Sequence, residues 1–289
     1  MSTAASQRVE PRTSEEPRQG AHLRSLESAR IGGVTYLNAW PVLYGLMLGR
    51  EPAQLRMAYP AVLAQRLVAR ECDLALAPVA TLALRPGFEL APRICLGADG
   101  EVTSVLIVSE RPIEELDTLL LDSHSGTSVI LAQLVAHHLR GGRSIAIEKA
   151  DHARMERDVH GATGTVVIGD RALELRARYP HVVDLGEAWK RWTGLPFVFA
   201  GWIAQRGVLD ESLVDMLERS LEHGLSARRE ISHLWASQHG GDPVVVQHYL
   251  THHMRYRLED AHRAGLAEFL ARAAAAKLLA PVELRFYGG

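Results

Sequence analysis

Thr193-Gly194-Leu195-Pro196-Phe197-Val198-Phe199-Ala200 is the stretch on which the fold reading turns. Thr193 to Pro196 are too small and apolar for acid–base work, so they shape a pocket wall or a hinge. Phe197 and Phe199 pack, and residues 197–205 read as a strand leading out of one α/β unit. Upstream, residues 29–34 form a first strand that runs into Thr35-Tyr36-Leu37-Asn38. Pro41 begins a helical stretch carrying Leu43, Leu46 and Met47. Residues 55–59 alternate like a strand, and Pro60 opens a helix with Leu63, Leu67 and Val68 on one face. Residues 72–79 and 103–109 are further strands. This β-α-β-α-β order predicts a largely parallel α/β sheet.

A second unit follows. Residues 113–116 connect to a strand at 118–122, a polar turn at 123–128 and a helix over about 128–139. Residues 164–168 are a strand, Gly169-Asp170 a turn, and a helix starts near Arg171. Beyond the strand 197–205 the chain is helical. Asp210-Glu211-Ser212 caps a stripe of Leu213, Leu217, Leu221 and Leu225; Asp242-Pro243 opens another helix; the last spans about 258–279. The order predicts two lobes with the second inserted into the first: 30–112 and 202–289 form one, 113–201 the other. The chain crosses near 109–116 and returns near 198–206, which makes a hinge with a ligand cleft between the lobes. Residues 1–29, rich in Ser, Glu, Arg and Pro, read as a disordered tail without a secretory signal.

Composition narrows the function. The chain has 289 residues, 47% hydrophobic and 23% charged, as expected of a globular protein with one or two domains. A net charge of −2 provides no field for nucleic acid. No apolar run reaches the roughly 20 residues needed to span a bilayer. Cys72 and Cys95 lack metal-ligand spacing and read as reduced structural thiols, so the expected compartment is the cytoplasm.

Several polar groups sit where strands end. Ser125-Gly126-Thr127-Ser128 lies between strand and helix, where hydroxyls, free N–H groups and the helix dipole suit a carboxylate. Capping explains one hydroxyl there, but not three around a glycine. Asn38 offers an uncharged amide to a ligand, or makes an Asx-turn before the Pro41 helix. Ser104, read from the residues alone, is a solvent-facing strand residue. Gly169 permits close backbone approach to a ligand, and Asp170 reads as an N-cap with a secondary ligand role. His124 falls inside the polar turn as a titratable group. His248, His252 and His253 have helical spacing, yet no carboxylate or cysteine completes a metal set, and they read as a helix face; His137 and His138 read likewise. No glycine-rich nucleotide loop and no nucleophile elbow occurs.

Order and spacing of five motifs then carry a resemblance. Val34-Thr35-Tyr36-Leu37-Asn38-Ala39-Trp40-Pro41, Asp99-Gly100-Glu101-Val102-Thr103-Ser104-Val105, Ser125-Gly126-Thr127-Ser128, Ile168-Gly169-Asp170-Arg171-Ala172-Leu173, and the run from Asp184 to Ala200 are similar to the chorismate dehydratase family. That family supplies the first enzyme of the futalosine route to menaquinone, on a type 2 periplasmic-binding-protein fold. The resemblance spans about residues 30–287. It implies a hydro-lyase that takes the C4 hydroxyl and C3 hydrogen from chorismate to give 3-[(1-carboxyvinyl)oxy]benzoate. It implies no metal, no organic cofactor, no nucleic-acid or membrane partner, and a monomer or homodimer. Asn38 would orient the ring and the leaving hydroxyl; Ser104, Ser125, Thr127 and Ser128 would hold carboxylates, with Gly126, Gly169 and Asp170 in the binding set. The substrate's own carboxylate would act as base. Two departures stand out: Thr35 replaces a common Ser, and Gly126 stands where members often carry Arg. Backbone N–H groups at the helix end would compensate, or Arg143, Lys190 or Arg191 would supply the charge from elsewhere. The alternatives are a lyase of the 1,4-dihydroxy-6-naphthoate synthase kind and a non-catalytic small-carboxylate binding protein.

Overall fold

Apolar strands and proline-opened helices build two mixed sheets in the computed structural model, which describes residues 26–122 and 126–289, apart from the side chains of His152 and Glu156. In chain order, β1 (Arg30–Val34), α1 (Trp40–Met47), β2 (Gln54–Ala58), α2 (Pro60–Val68), β3 (Leu74–Pro78) and β4 (Phe88–Ala98) come first. Then follow β5 (Val105–Ser109), β6 (Thr118–Asp122), α3 (Thr127–Leu139), β7 (Ala146–Ala150), α4 (His152–Asp158), β8 (Thr163–Ile168), α5 (Asp170–Leu175), β9 (His181–Asp184) and α6 (Leu185–Thr193). The chain returns through β10 (Phe197–Gln205), α7 (Glu211–Ser226), α8 (Arg228–His239), α9 (Pro243–His248), β11 (Arg255–Arg257) and α10 (Asp260–Ala275).

The prolines act as read: Pro41 lies in the first turn of α1 and Pro60 opens α2, where a missing N–H costs nothing. Asp210 accepts the Leu213 N–H at 2.8 Å, and Asp242 the Val244 N–H at 2.8 Å, so both caps form.

The first sheet has the order β11-β4-β10-β3-β1-β2 and the second β7-β6-β8-β5-β9. The expectation of a largely parallel sheet is corrected. β1 runs parallel to β2 and β3, but β10 is antiparallel to both β3 and β4. β4 has no counterpart in the sequence reading. Pro92 and Arg93 interrupt it, and its pairing with β10 slips between Cys95 and Leu90 because a proline cannot serve the ladder.

The crossing points also move. β5 bonds to β8 and β9, so it belongs to the second sheet, whereas the whole of β10 belongs to the first. The chain therefore passes between sheets at residues 99–104 and 185–196, not at 109–116 and 198–206. The tail reading ends earlier than expected. Residues 1–25 lie outside the described part; Leu26–Ser28 make a 3-10 turn, and Ala29 is fully buried.

Packing fixes the return crossing. Trp189 of α6, Phe197 of β10 and Phe269 of α10 are all fully buried, and Phe197 meets the other two rings edge-on at 5.3 and 5.1 Å. Cys72 and Cys95 are buried free thiols. Among the described residues no helix is long and apolar enough to cross a membrane.

Candidate active site

The strand ends converge on a cleft between the sheets. From the first sheet come Val34 at the end of β1, Tyr36 and Asn38 after it, Pro78 at the end of β3, and Phe199 and Ala200 of β10. A register slip between Val198 and Ala200 leaves Phe199 out of the ladder, and its side chain lines the cleft. From the second sheet come Gly126, Thr127 and Ser128 at the start of α3, Val105 of β5, and Ile168 and Gly169 at the end of β8. The cleft has a volume of about 60 Å3. A second compartment of about 250 Å3 adjoins it, shares Tyr36 and Ile168, and is lined further by Tyr59, Asp122, Met155, Asp170 and Arg171.

Five sequence-predicted residues thus meet: Asn38, Gly126, Thr127, Ser128 and Gly169. Ser125 and His124 lie outside the described residues. Gly126 occupies the N-cap position of α3, and no described side chain caps that first turn. Its N–H groups are directed at the cleft end of the helix, as an anion site requires. Thr127 is buried, and its Oγ1 accepts the Ala80 N–H at 3.2 Å, which joins α3 to the turn after β3 across the cleft.

Gly169 makes its close approach to protein. Its φ of +64° suits glycine alone, and a Cβ there would come within 2.9 Å of the Tyr36 ring from the opposite sheet. Gly169, not Asp170, occupies the N-cap position of α5; this corrects the capping role given to Asp170. The Asp170 carboxyl instead lines the adjoining compartment, and burial pushes its pKa up to about 6.

Ser104 is not solvent-facing. It is 1% exposed, immediately before β5, and its Oγ accepts the Tyr249 hydroxyl proton at 2.7 Å. Asn38 Oδ1 is buried and has no partner among the described residues.

Sequence reasoning missed Tyr249 and Asp184. Asp184 ends β9 and accepts four backbone N–H groups: Val102 at 3.1 Å, Thr103 at 2.7 Å, and Gly186 and Glu187 at 3.0 Å each. One carboxylate therefore ties both crossing segments together, and it holds Thr103 at a φ of +62°. Burial raises the Asp184 pKa above the ordinary carboxylate value. The signal was legible in part, since Asp184 precedes a helix as an N-cap should.

The cations expected to replace the motif Arg lie elsewhere. Arg143 donates to the Arg140 and Glu114 carbonyls, Lys190 pairs with Asp99 at 2.6 Å, and Arg191 pairs with Glu187. Among the described residues lining the two compartments, Arg171 is the one cation. His248 and His252 stack at 4.2 Å, and His253 lies 3.8 Å from the Glu101 carboxylate. Among the described residues no three His, Cys, Asp or Glu converge to hold a metal.

Comparison with known proteins follows the same lines. The family described as menaquinone biosynthesis matches residues 29–275. A chorismate dehydratase of Thermus thermophilus is 30% identical over 264 residues, covering 83% of this chain and 93% of that protein. A solved structure from Archaeoglobus fulgidus superposes with a TM-score of 0.69 at 13% identity, over 88% of this chain and 99% of the other. The periplasmic aliphatic sulphonate binding protein of Escherichia coli gives 0.60 at 14% identity, over 92% and 95%. A Candida albicans protein with the generic periplasmic-binding-protein fold gives 0.62 at 9% identity, over 89% and 92%. At such identities the structural likeness establishes the fold, two α/β lobes around a cleft.

Proposed function

The chain belongs to the menaquinone biosynthesis family and is a homologue of chorismate dehydratase, and from that premise we propose that its cleft binds chorismate and removes water from it. The observation that carries the reading is the pairing across the cleft of Asn38, from the first lobe, with the hydroxyl-bearing first turn of α3, from the second. An amide that bonds without charge faces a helix end that favours anions. Chorismate, a dicarboxylate with a ring hydroxyl, needs both.

The reaction requires a proton to leave C3 and the C4 oxygen to leave with its bonding electrons. Aromatisation of the ring drives the step, so positioning supplies most of what the protein must add. The described residues that line the cleft include no carboxylate and no imidazole. The substrate's own carboxylate is the proposed acceptor of the C3 proton, which then leaves with the C4 oxygen as water; Asp122 and Asp170 line the adjoining compartment. Thr127 and Ser128 would hold one carboxylate at the α3 terminus. Arg171, in the adjoining compartment, would face the other and supply the charge that Gly126 does not.

Ligand pockets commonly measure about 300–1,000 Å3. The cleft of about 60 Å3 is smaller than this, and the adjoining compartment adds about 250 Å3. Entry of substrate would part the lobes about residues 99–104 and 185–196, with the Thr127–Ala80 contact breaking and reforming. The expected compartment remains the cytoplasm, consistent with two reduced thiols.

The test is to incubate the purified chain with chorismate, without added metal or cofactor, and to follow the product by mass and ultraviolet absorbance. Loss of one water to give an aromatic product supports the reading. Chorismate that binds and is recovered unchanged overturns it in favour of a carboxylate-binding protein.

A further inference from the structure

Phe199 is the extra residue of a β-bulge. Val198 pairs with Gly97 and Ala200 with Leu96, so two steps of β10 oppose one of β4, and the pairing with β3 starts only at Ala200. Bulges re-aim side chains and often stand beside active sites. Here the Phe199 ring is half-buried and lines the cleft. It packs against Phe197, with centroids 4.7 Å apart and planes at 64°. Phe197 is fully buried and meets Trp189 and Phe269 edge-on. The ring in the cleft is thus backed by the aromatic cluster that fixes the return crossing, which holds it in place.

Tyr36, Pro60, Pro78 and Leu96 also line the cleft, whose volume is about 60 Å3. A small, largely apolar space beside a fixed aromatic face admits a flat ring more readily than a puckered one. In chorismate the ring carbons C3 and C4 are tetrahedral. Loss of the C3 hydrogen and the C4 hydroxyl makes both trigonal, with a double bond formed between them and water released. The ring flattens along the reaction and its faces become aromatic. A contact that strengthens with that change lowers the barrier, whereas one felt equally by the substrate does not.

We propose that Phe199 is a specificity-determining residue, which gives the cleft a preference for flat aromatic carboxylates and thereby for the aromatising transition state. The inference rests on the dehydratase reading and adds to it the residue that senses the ring. Contact between two aromatic rings is worth about 2- to 12-fold in binding beyond the burial of their surface. An aliphatic side chain at position 199 would keep the burial and lose that factor.

Benzoate and cyclohexanecarboxylate are the probes. Both carry one carboxylate on a six-carbon ring, flat in the first and puckered in the second. Their binding to the wild type, Phe199→Leu and Phe199→Met is measured by titration calorimetry, beside kcat and KM for chorismate. Circular dichroism identifies the folded variants, and the methionine chain serves where the leucine chain does not fold. The proposal expects the wild type to prefer benzoate by about three- to tenfold, and a folded variant to bind the two probes within about twofold of each other. In that variant kcat should fall by about three- to tenfold with KM nearly unchanged, because the substrate ring is not yet flat. Equal binding of both probes by the wild type overturns the proposal, as does a benzoate preference that survives in a folded variant. A wild-type chain inert towards chorismate overturns the dehydratase reading, while a benzoate preference lost with the ring would still uphold the part given to Phe199.

Discussion

Replacing Asp184 by alanine takes the acceptor away from four backbone N–H groups at once. Two of them, on Gly186 and Glu187, form the cap of α6, and loss of such a cap costs about 1 kcal/mol. The other two, on Val102 and Thr103, belong to the opposite crossing segment. A buried N–H left without a partner costs about 1–3 kcal/mol. Water entering the vacated space offsets part of this, so the expected loss is about 3–5 kcal/mol, a large share of the roughly 5–15 kcal/mol that holds a domain folded. Asp184→Asn is informative because it is not neutral. Its single carbonyl oxygen can serve Val102, Gly186 and Glu187, which all lie on Oδ1, but its N–H2 would then face the Thr103 N–H, now 2.7 Å from Oδ2. That variant should lose about 1–3 kcal/mol. Urea unfolding followed by far-ultraviolet circular dichroism measures both. An Asp184→Ala chain within about 1 kcal/mol of wild type would refute the view that this carboxylate ties the crossings together.

Other outcomes follow from the contacts between lobes. Gly169→Ala places a side chain at a φ of +64° and within 2.9 Å of the Tyr36 ring; it should cost about 1–3 kcal/mol and raise KM for chorismate, as unfolding and steady-state kinetics will register. Asp170 holds its proton up to a pH of about 6 in the folded chain, against an ordinary value of 3.8. Between those values the folded state binds the extra proton, so this group stabilises at low pH and the gain is lost as pH rises through about 6. The stability difference between wild type and Asp170→Asn should change across that window and be flat above it, by urea unfolding at successive pH values. Arg171→Ala should raise KM for chorismate by about tenfold with a smaller change in kcat, the mark of a lost carboxylate contact.

The parts of the fold set by local chemistry could be read from the sequence. Pro41, Pro60, Asp210 and Asp242 announce helix starts whatever surrounds them. The cleft residues at strand ends, Asn38, Gly126, Thr127, Ser128 and Gly169, were legible for the same reason. What escaped depends on partners distant in sequence. β4 hides behind Pro92 and Arg93, since its interrupted pattern makes sense only against the bulged β10. The assignment of β5 to the second sheet is decided by β8 and β9, not by its own residues. Ser104 looks exposed until Tyr249 covers it, and Tyr249 itself stands among histidines that draw attention to metal binding. Asp170 has the sequence position of a cap, but the fold gives that position to Gly169 and buries the Asp170 carboxyl beside the cleft.

The most direct test sets wild type beside Asn38→Ala in the same chorismate assay, with circular dichroism to confirm that both are folded. The account predicts that the wild type releases one water per chorismate and forms the enolpyruvyl benzoate, while the variant forms none. Full turnover by the folded variant would remove Asn38 from the reaction and contradict the account at its centre.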